Sequence, residues 1–128
     1  MSILEGFTAF NFNEGVPYVS ITKHGVTFNK GVVMKMECPK YVVLLISPSS
    51  GQIAIQACSE SNPRAVIFYN DEKKKNAYSV RWNGRDLLNT ITAMTGWDLG
   101  KEGYKVEGRL ISEEKAMLFD LKCAEPLD

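Results

Sequence analysis

Tyr41-Val42-Val43-Leu44-Leu45-Ile46-Ser47-Pro48-Ser49-Ser50-Gly51-Gln52-Ile53-Ala54-Ile55-Gln56-Ala57 reads as two strands joined by a tight turn. Tyr41 to Ile46 is apolar at every position, the pattern of a strand covered on each side, whereas a half-exposed strand would alternate. Pro48 to Gly51 carries turn chemistry, and Ile53, Ala54, Ile55 and Ala57 return as the partner strand. A strand buried on both faces belongs in the middle of a fold. Replacing Leu44 or Leu45 by Ala is then expected to cost on the order of 2–5 kcal/mol.

Working outward, the same order of elements occurs twice. Tyr18 to Thr22 is extended, Lys23-His24-Gly25 turns, and Val26-Thr27-Phe28 resumes extended structure before a short helix capped by Asn29. Val32, Val33 and Met36 give that helix an apolar stripe, Gly31 weakens it, and Pro39 stops it. The second pass runs from Tyr78 to Trp82, through Asn83-Gly84, into a helix from Arg85 to Thr95. Leu87, Leu88, Ile91 and Met94 recur there at helical spacing, and Gly96 is the natural residue beyond its end. Tyr104 to Ile111, a turn near Ser112-Glu113-Glu114 and Ala116 to Leu121 then form a second hairpin. Tyr41 to Gln52 and Tyr104 to Lys115 each span eleven steps, with an aromatic at each start. This echo predicts an α+β fold of antiparallel β-hairpins with two short helices, built by internal duplication as a fused pseudo-dimer. One domain covers 1–128, with repeats at 18–58 and 78–123 and a connection at 59–77. In that connection Ala65 to Tyr69 reads as a strand and Asn70 to Asn76 as its turn. Phe7 to Phe12 alternates weakly, as an edge strand or an arm would.

With 128 residues the chain can bury a core without disulfide or metal. Lys plus Arg and Asp plus Glu each total 15, so broad attraction to nucleic acid or anionic lipid is not expected and any basic patch must be local. Cys38, Cys58 and Cys123 form no C-x-x-C pair and read as small apolar thiols in a reducing, cytoplasmic setting. Met1-Ser2-Ile3-Leu4-Glu5 lacks a signal-peptide pattern, and no apolar run could span a bilayer. No partner for a membrane and no cofactor is implied.

His24-Gly25-Val26-Thr27-Phe28-Asn29-Lys30-Gly31-Val32-Val33-Met34-Lys35-Met36, followed by the Tyr41 to Ala57 hairpin, resembles the swapped-hairpin DNA-binding fold of AbrB-type transition regulators. Two copies in one chain are similar to the MraZ type of that fold. The resemblance implies a small cytoplasmic nucleic-acid-binding protein of the transcriptional-regulator kind. Val26 stands where the family usually has Arg, and Asn29 and Lys30 where it has the Pro that opens the helix. Lys23, His24, Lys30 and Lys35 are therefore neighbours of the family's DNA contacts, not counterparts. The run Lys73-Lys74-Lys75 at a hairpin tip, with Arg81 and Arg85, completes the candidate nucleic-acid-binding set. Tyr78 and Trp82 share a strand face and read as base-stacking platforms or, with more weight, as packing against the second helix.

No catalytic residue is assigned. His24 has neither an orienting carboxylate nor a nucleophile placed beside it by the sequence, and Glu102, Glu113 and Glu114 have no metal or glycosidase spacing. The competing reading, of a different class, is a non-enzymatic protein–protein interaction or assembly module, its partner another protein or a second copy in a homodimer. The arrangement of charge separates the two. Cations gathered on one face favour nucleic acid; interleaved carboxylates with an apolar patch elsewhere favour assembly.

Overall fold

Alternation along β1 (Tyr18–Thr22) and β2 (Gly25–Phe28) sends Val19, Ile21, Val26 and Phe28 to one side, and all four are buried in the computed structural model. It describes residues 3–7, 15–70 and 78–127. The remaining elements are α1 (Lys30–Lys35), β3 (Tyr41–Ser47), β4 (Gln52–Ala57), β5 (Val66–Ile67), β6 (Val80–Trp82), α2 (Arg85–Thr95), β7 (Tyr104–Ile111), β8 (Ala116–Asp120) and β9 (Glu125–Pro126). They form one antiparallel sheet in the order β5-β3-β4-β8-β7-β1-β2-β6, with β9 on β7. The sheet curls until its two ends meet: the Trp82 indole N–H donates to the Ile67 carbonyl at 3.3 Å, and Tyr69 stacks on Tyr78. The chain is thus α+β with a β-rich core.

Period-two alternation converts the registers into rows of side chains. On the concave side Tyr104, Ile21, Val26 and Trp82 form one row, and Val106, Val19, Phe28 and Val80 the next. Across the other half, Leu44, Ile55, Met117 and Leu110 line up, then Ile46, Ile53, Phe119 and Gly108. Gly108 is glycine for a packing reason. A Cβ there would lie 2.8 Å from Cε1 of the buried Phe119 ring.

Both helices pack on this core. In α1, Gly31, Val32 and Val33 are buried, so packing compensates for its six-residue length. In α2, Ile91 is buried, with Leu87, Leu88 and Met94 half-buried beside the core. Gly96 ends α2 at φ 77°, the left-handed cap that the sequence predicts. Trp97 then turns back and stacks on Tyr104 at 4.1 Å.

Two expectations change. The strand Tyr41–Ser47, whose first six residues are all apolar, is fully buried only at Val42, and Leu45 keeps 44% of its surface in water. It is also not central: β5 pairs with it only at Tyr41 and Val42. Hydropathy alone does not distinguish a doubly covered strand from one with an apolar outer face. Leu45→Ala should therefore change the unfolding free energy of the monomer by less than about 1 kcal/mol. Ile55→Ala, at a fully buried position, should cost about 2–5 kcal/mol; parallel urea titrations check the contrast. Trp82 packs edge-on against Phe28 and Phe68 in the core. The strands expected at Ala65 to Tyr69 and Tyr78 to Trp82 shorten to β5 and β6. The readings for Phe7 to Phe12, the Asn70 to Asn76 turn and Lys73 to Lys75 lie largely or wholly outside the described residues.

Candidate nucleic-acid interface

Pairing of β2 with β6 sets Thr27 opposite Arg81, both facing the convex side of the sheet. Arg81 is exposed and donates from Nε to Thr27 Oγ1 at 3.1 Å. At one end of this ladder the two-residue β1–β2 turn presents Lys23 and His24 to solvent, with the His24 N–H bonded to Thr22 Oγ1 at 3.1 Å. Arg85 is the first residue of α2. Lys23, Asn83, Arg85, Asn89 and Thr92 share a shallow hollow of about 400 Å³. At the other end Lys30, the first residue of α1, holds its Nζ 5.4 Å from the centre of the Tyr78 ring, within cation–π range.

Lys23, Lys30 and Arg85 thus flank the short β2–β6 ladder that carries Arg81. The stretches supplying them, Tyr18 to Met36 and Tyr78 to Arg85, contain no Asp or Glu. Carboxylates enter at the borders, as Asp86 in the first turn of α2 and, beyond β1, as Glu107 paired with Tyr18 and Glu125 paired with Lys105.

Lys35 does not join this strip. It lines a separate hollow of about 330 Å³ with Glu37, Ser112 and Lys115. Tyr78 does not present a free platform, since its ring is stacked on Tyr69 at 5.7 Å and 6°.

Sequence reading missed Lys105, Ser20 and Thr27. Across β7, β1, β2 and β6 they form with Arg81 the convex row Lys105–Ser20–Thr27–Arg81. The outward phase of Lys105 was legible from the alternation of Tyr104 and Val106. Its neighbours were not, because the β1–β7 pairing joins residues more than 80 apart in sequence.

Asn29 holds the local frame. Its Oδ1 accepts from Tyr18 N at 2.9 Å and Val32 N at 3.1 Å, and its Nδ2 donates to Val16 O at 2.8 Å. Its own N–H donates to Tyr18 O at 3.1 Å, a bond that proline at this position would lose. Asn29→Ala should destabilise the protein by about 1–2 kcal/mol, read from the denaturation midpoint.

Asp120 has its pKa lowered from the ordinary 3.8, first by a hydrogen bond from the Lys122 side chain and then by the Lys122 N–H. Among the described residues, no three or more His, Cys, Asp or Glu cluster as metal ligands, and no helix is long and apolar enough to cross a membrane.

Comparison with known proteins finds no matching family model, no matching curated sequence and no matching solved structure.

Proposed function

We propose that this protein binds nucleic acid through the convex β2–β6 face, in the manner of a small regulator. One observation carries the reading: β2–β6 pairing unites two carboxylate-free stretches, so a chain of zero net charge has one locally cationic strip. Phosphate contacts need a local field, not a net one. Ser20, Thr27, Asn83 and Asn89 add neutral hydrogen-bonding groups beside Lys23, Lys30, Arg81 and Arg85. Lys73 to Lys75 precede Tyr78 in the chain and belong to the same reading.

The test is fluorescence polarisation with random duplex and single-stranded DNA at about 50 and 200 mM salt. Salt-sensitive binding is expected. The combined variant Lys23→Gln, Arg81→Gln, Arg85→Gln should flatten the duplex log K against log salt slope by about 0.9 per lost contact. No salt-sensitive binding at micromolar protein overturns the proposal.

The fused pseudo-dimer belongs to the same proposal. What supports it is that the strand order, followed round the ring in which β5 meets β6, maps onto itself when β1, β2, β3 and β4 are exchanged with β5, β6, β7 and β8, the β1–β2 ladder answering to the side-chain contact between β5 and β6. α1 and α2 each follow the second strand of a set. Concave positions then coincide: Val19 with Val66, Ile21 with Phe68, Val26 with Val80, Phe28 with Trp82, Val42 with Val106, Ile53 with Met117, and Ile55 with Phe119. Both hairpin turns end in a left-handed residue, Gly51 at φ 69° and Lys115 at φ 54°. In this mapping Val42, not Tyr41, sets the register, because Tyr41 faces outward and Tyr104 inward. The second unit starts at β5, ahead of Tyr78. The kinship with AbrB- and MraZ-type regulators is proposed on this basis.

The assembly reading keeps a specific observation in its favour, the exposed apolar strand β3.

A further inference from the structure

β3 presents an open backbone edge as well as exposed side chains. The Cys58 N–H bonds to Tyr41 O, and the Phe68 N–H to Lys40 O. In an antiparallel ladder these two bonds fix the phase, so odd residues of β3 bond toward β4 and even ones toward β5. β5 pairs only as far as Val42. The N–H and C=O groups of Leu44 and Ile46 therefore point to a flank with no strand beside it among the described residues.

Leu45 and Ile46 face opposite sides of the sheet, yet they are 44% and 38% exposed. A ligand lying on one face would cover only one of them; a strand added at the edge covers both. Protein edges are commonly protected by lysine, proline or a bulge. Val43 to Ser47 contains no charged residue and no proline, and its pairing with β4 is unbroken. The convex row Leu45–Ala54–Leu118–Arg109 carries such a guard only at its far end, on β7.

We propose that this edge pairs with β3 of a second copy of the chain, antiparallel about a twofold axis at Leu45. The pairing sets Leu44 opposite Ile46 of the partner copy, Leu45 opposite its own equivalent, and Val43 opposite Ser47. Each copy offers the two N–H and two C=O groups of Leu44 and Ile46, and this register satisfies all of them. Extension stops there, since the next pair would need the Pro48 nitrogen, which has no hydrogen, and the Val42 edge that β5 already occupies. Leu44 and Ile46 meet on one face, and the two Leu45 side chains meet on the other. The edge is thus its own complement, and the contact closes at two copies. The inference does not rest on nucleic-acid binding.

Sedimentation equilibrium of the full chain from about 1 to 300 µM gives the readout. A species of twice the 14.3 kDa chain mass is expected. Leu45→Lys, which opposes like charges at the axis, should give a monomer at the same concentrations, with an unchanged circular dichroism spectrum. Leu45→Cys with diamide as oxidant should give a covalent dimer mapping to a 45–45 peptide, because directly opposed residues of this non-hydrogen-bonded pair lie about 4.5 Å apart at Cα. A wild-type monomer throughout the range, as expected if the edge serves another protein's strand, overturns the proposal. So does a dimer that Leu45→Lys leaves intact, or assembly continuing beyond two copies. Loss of DNA binding alone leaves these masses unaffected, so the two proposals fail separately.

Discussion

Phe28→Ala will remove about 3–5 kcal/mol of folding free energy, the range for deleting a fully buried aromatic ring. Phe28 has no exposed surface and is where three parts of the chain converge. Its ring lies 5.0 Å from Trp82 of β6, 5.3 Å from Phe68 beyond β5 and 5.8 Å from Phe119 of β8. The contacts are edge-on or tilted, the geometry in which aromatic quadrupoles attract. Truncation opens a cavity walled by rigid rings that cannot collapse into it, so the cost belongs toward the upper end of the range. Urea titration followed by tryptophan fluorescence measures it. A loss below about 1 kcal/mol would mean that these rings do not form the centre of the core.

Gly25→Ala should cost about 3 kcal/mol or more, the upper end of what a disallowed backbone conformation costs by itself. Gly25 sits at φ 141°, and a Cβ built there falls 2.6 Å from the Trp82 carbonyl oxygen. That atom belongs to the backbone of β6, so relief requires moving β6 away from β2. Gly84 is the control: a Cβ there meets nothing within 4 Å, and Gly84→Ala should remain within about 0.5 kcal/mol of the parent. If the nucleic-acid reading is right, Gly25→Ala also weakens DNA binding at temperatures where the variant is still folded. The substitution parts the ladder that sets Arg81 beside Thr27.

Local chemistry was readable from the chain; adjacency at long range was not. Asn29 declares an N-cap because its short amide can reach Val32 N, and Gly96 declares a helix end because few other residues tolerate φ 77°. The hairpins Tyr41 to Ala57 and Tyr104 to Leu121 follow from turn chemistry between apolar runs. Nothing local tells β2 to pair with β6, a partnership between Thr27 and Arg81. The cationic residues were therefore legible singly and not as a strip: Lys23 and Arg85 were each selected as candidates, but nothing local joined them in one hollow. The strand Tyr41–Ser47 misled for a related reason. Apolar side chains on both faces say that water is unwelcome on both, and leave open whether this chain supplies the cover.

The meeting of β5 and β6 has a mechanical consequence. Among the described residues an indole N–H and two stacked phenol rings join the sheet's ends there, whereas consecutive amides lock the other neighbours strand to strand. Amides of a ladder release together, whereas a clasp of side chains lets go through rotamer changes on a much faster timescale. Rotamer changes at Trp82, Tyr69 and Tyr78 are therefore expected to loosen this seam, where Phe68 packs against Trp82, more readily than any amide ladder, a contrast that hydrogen exchange would report.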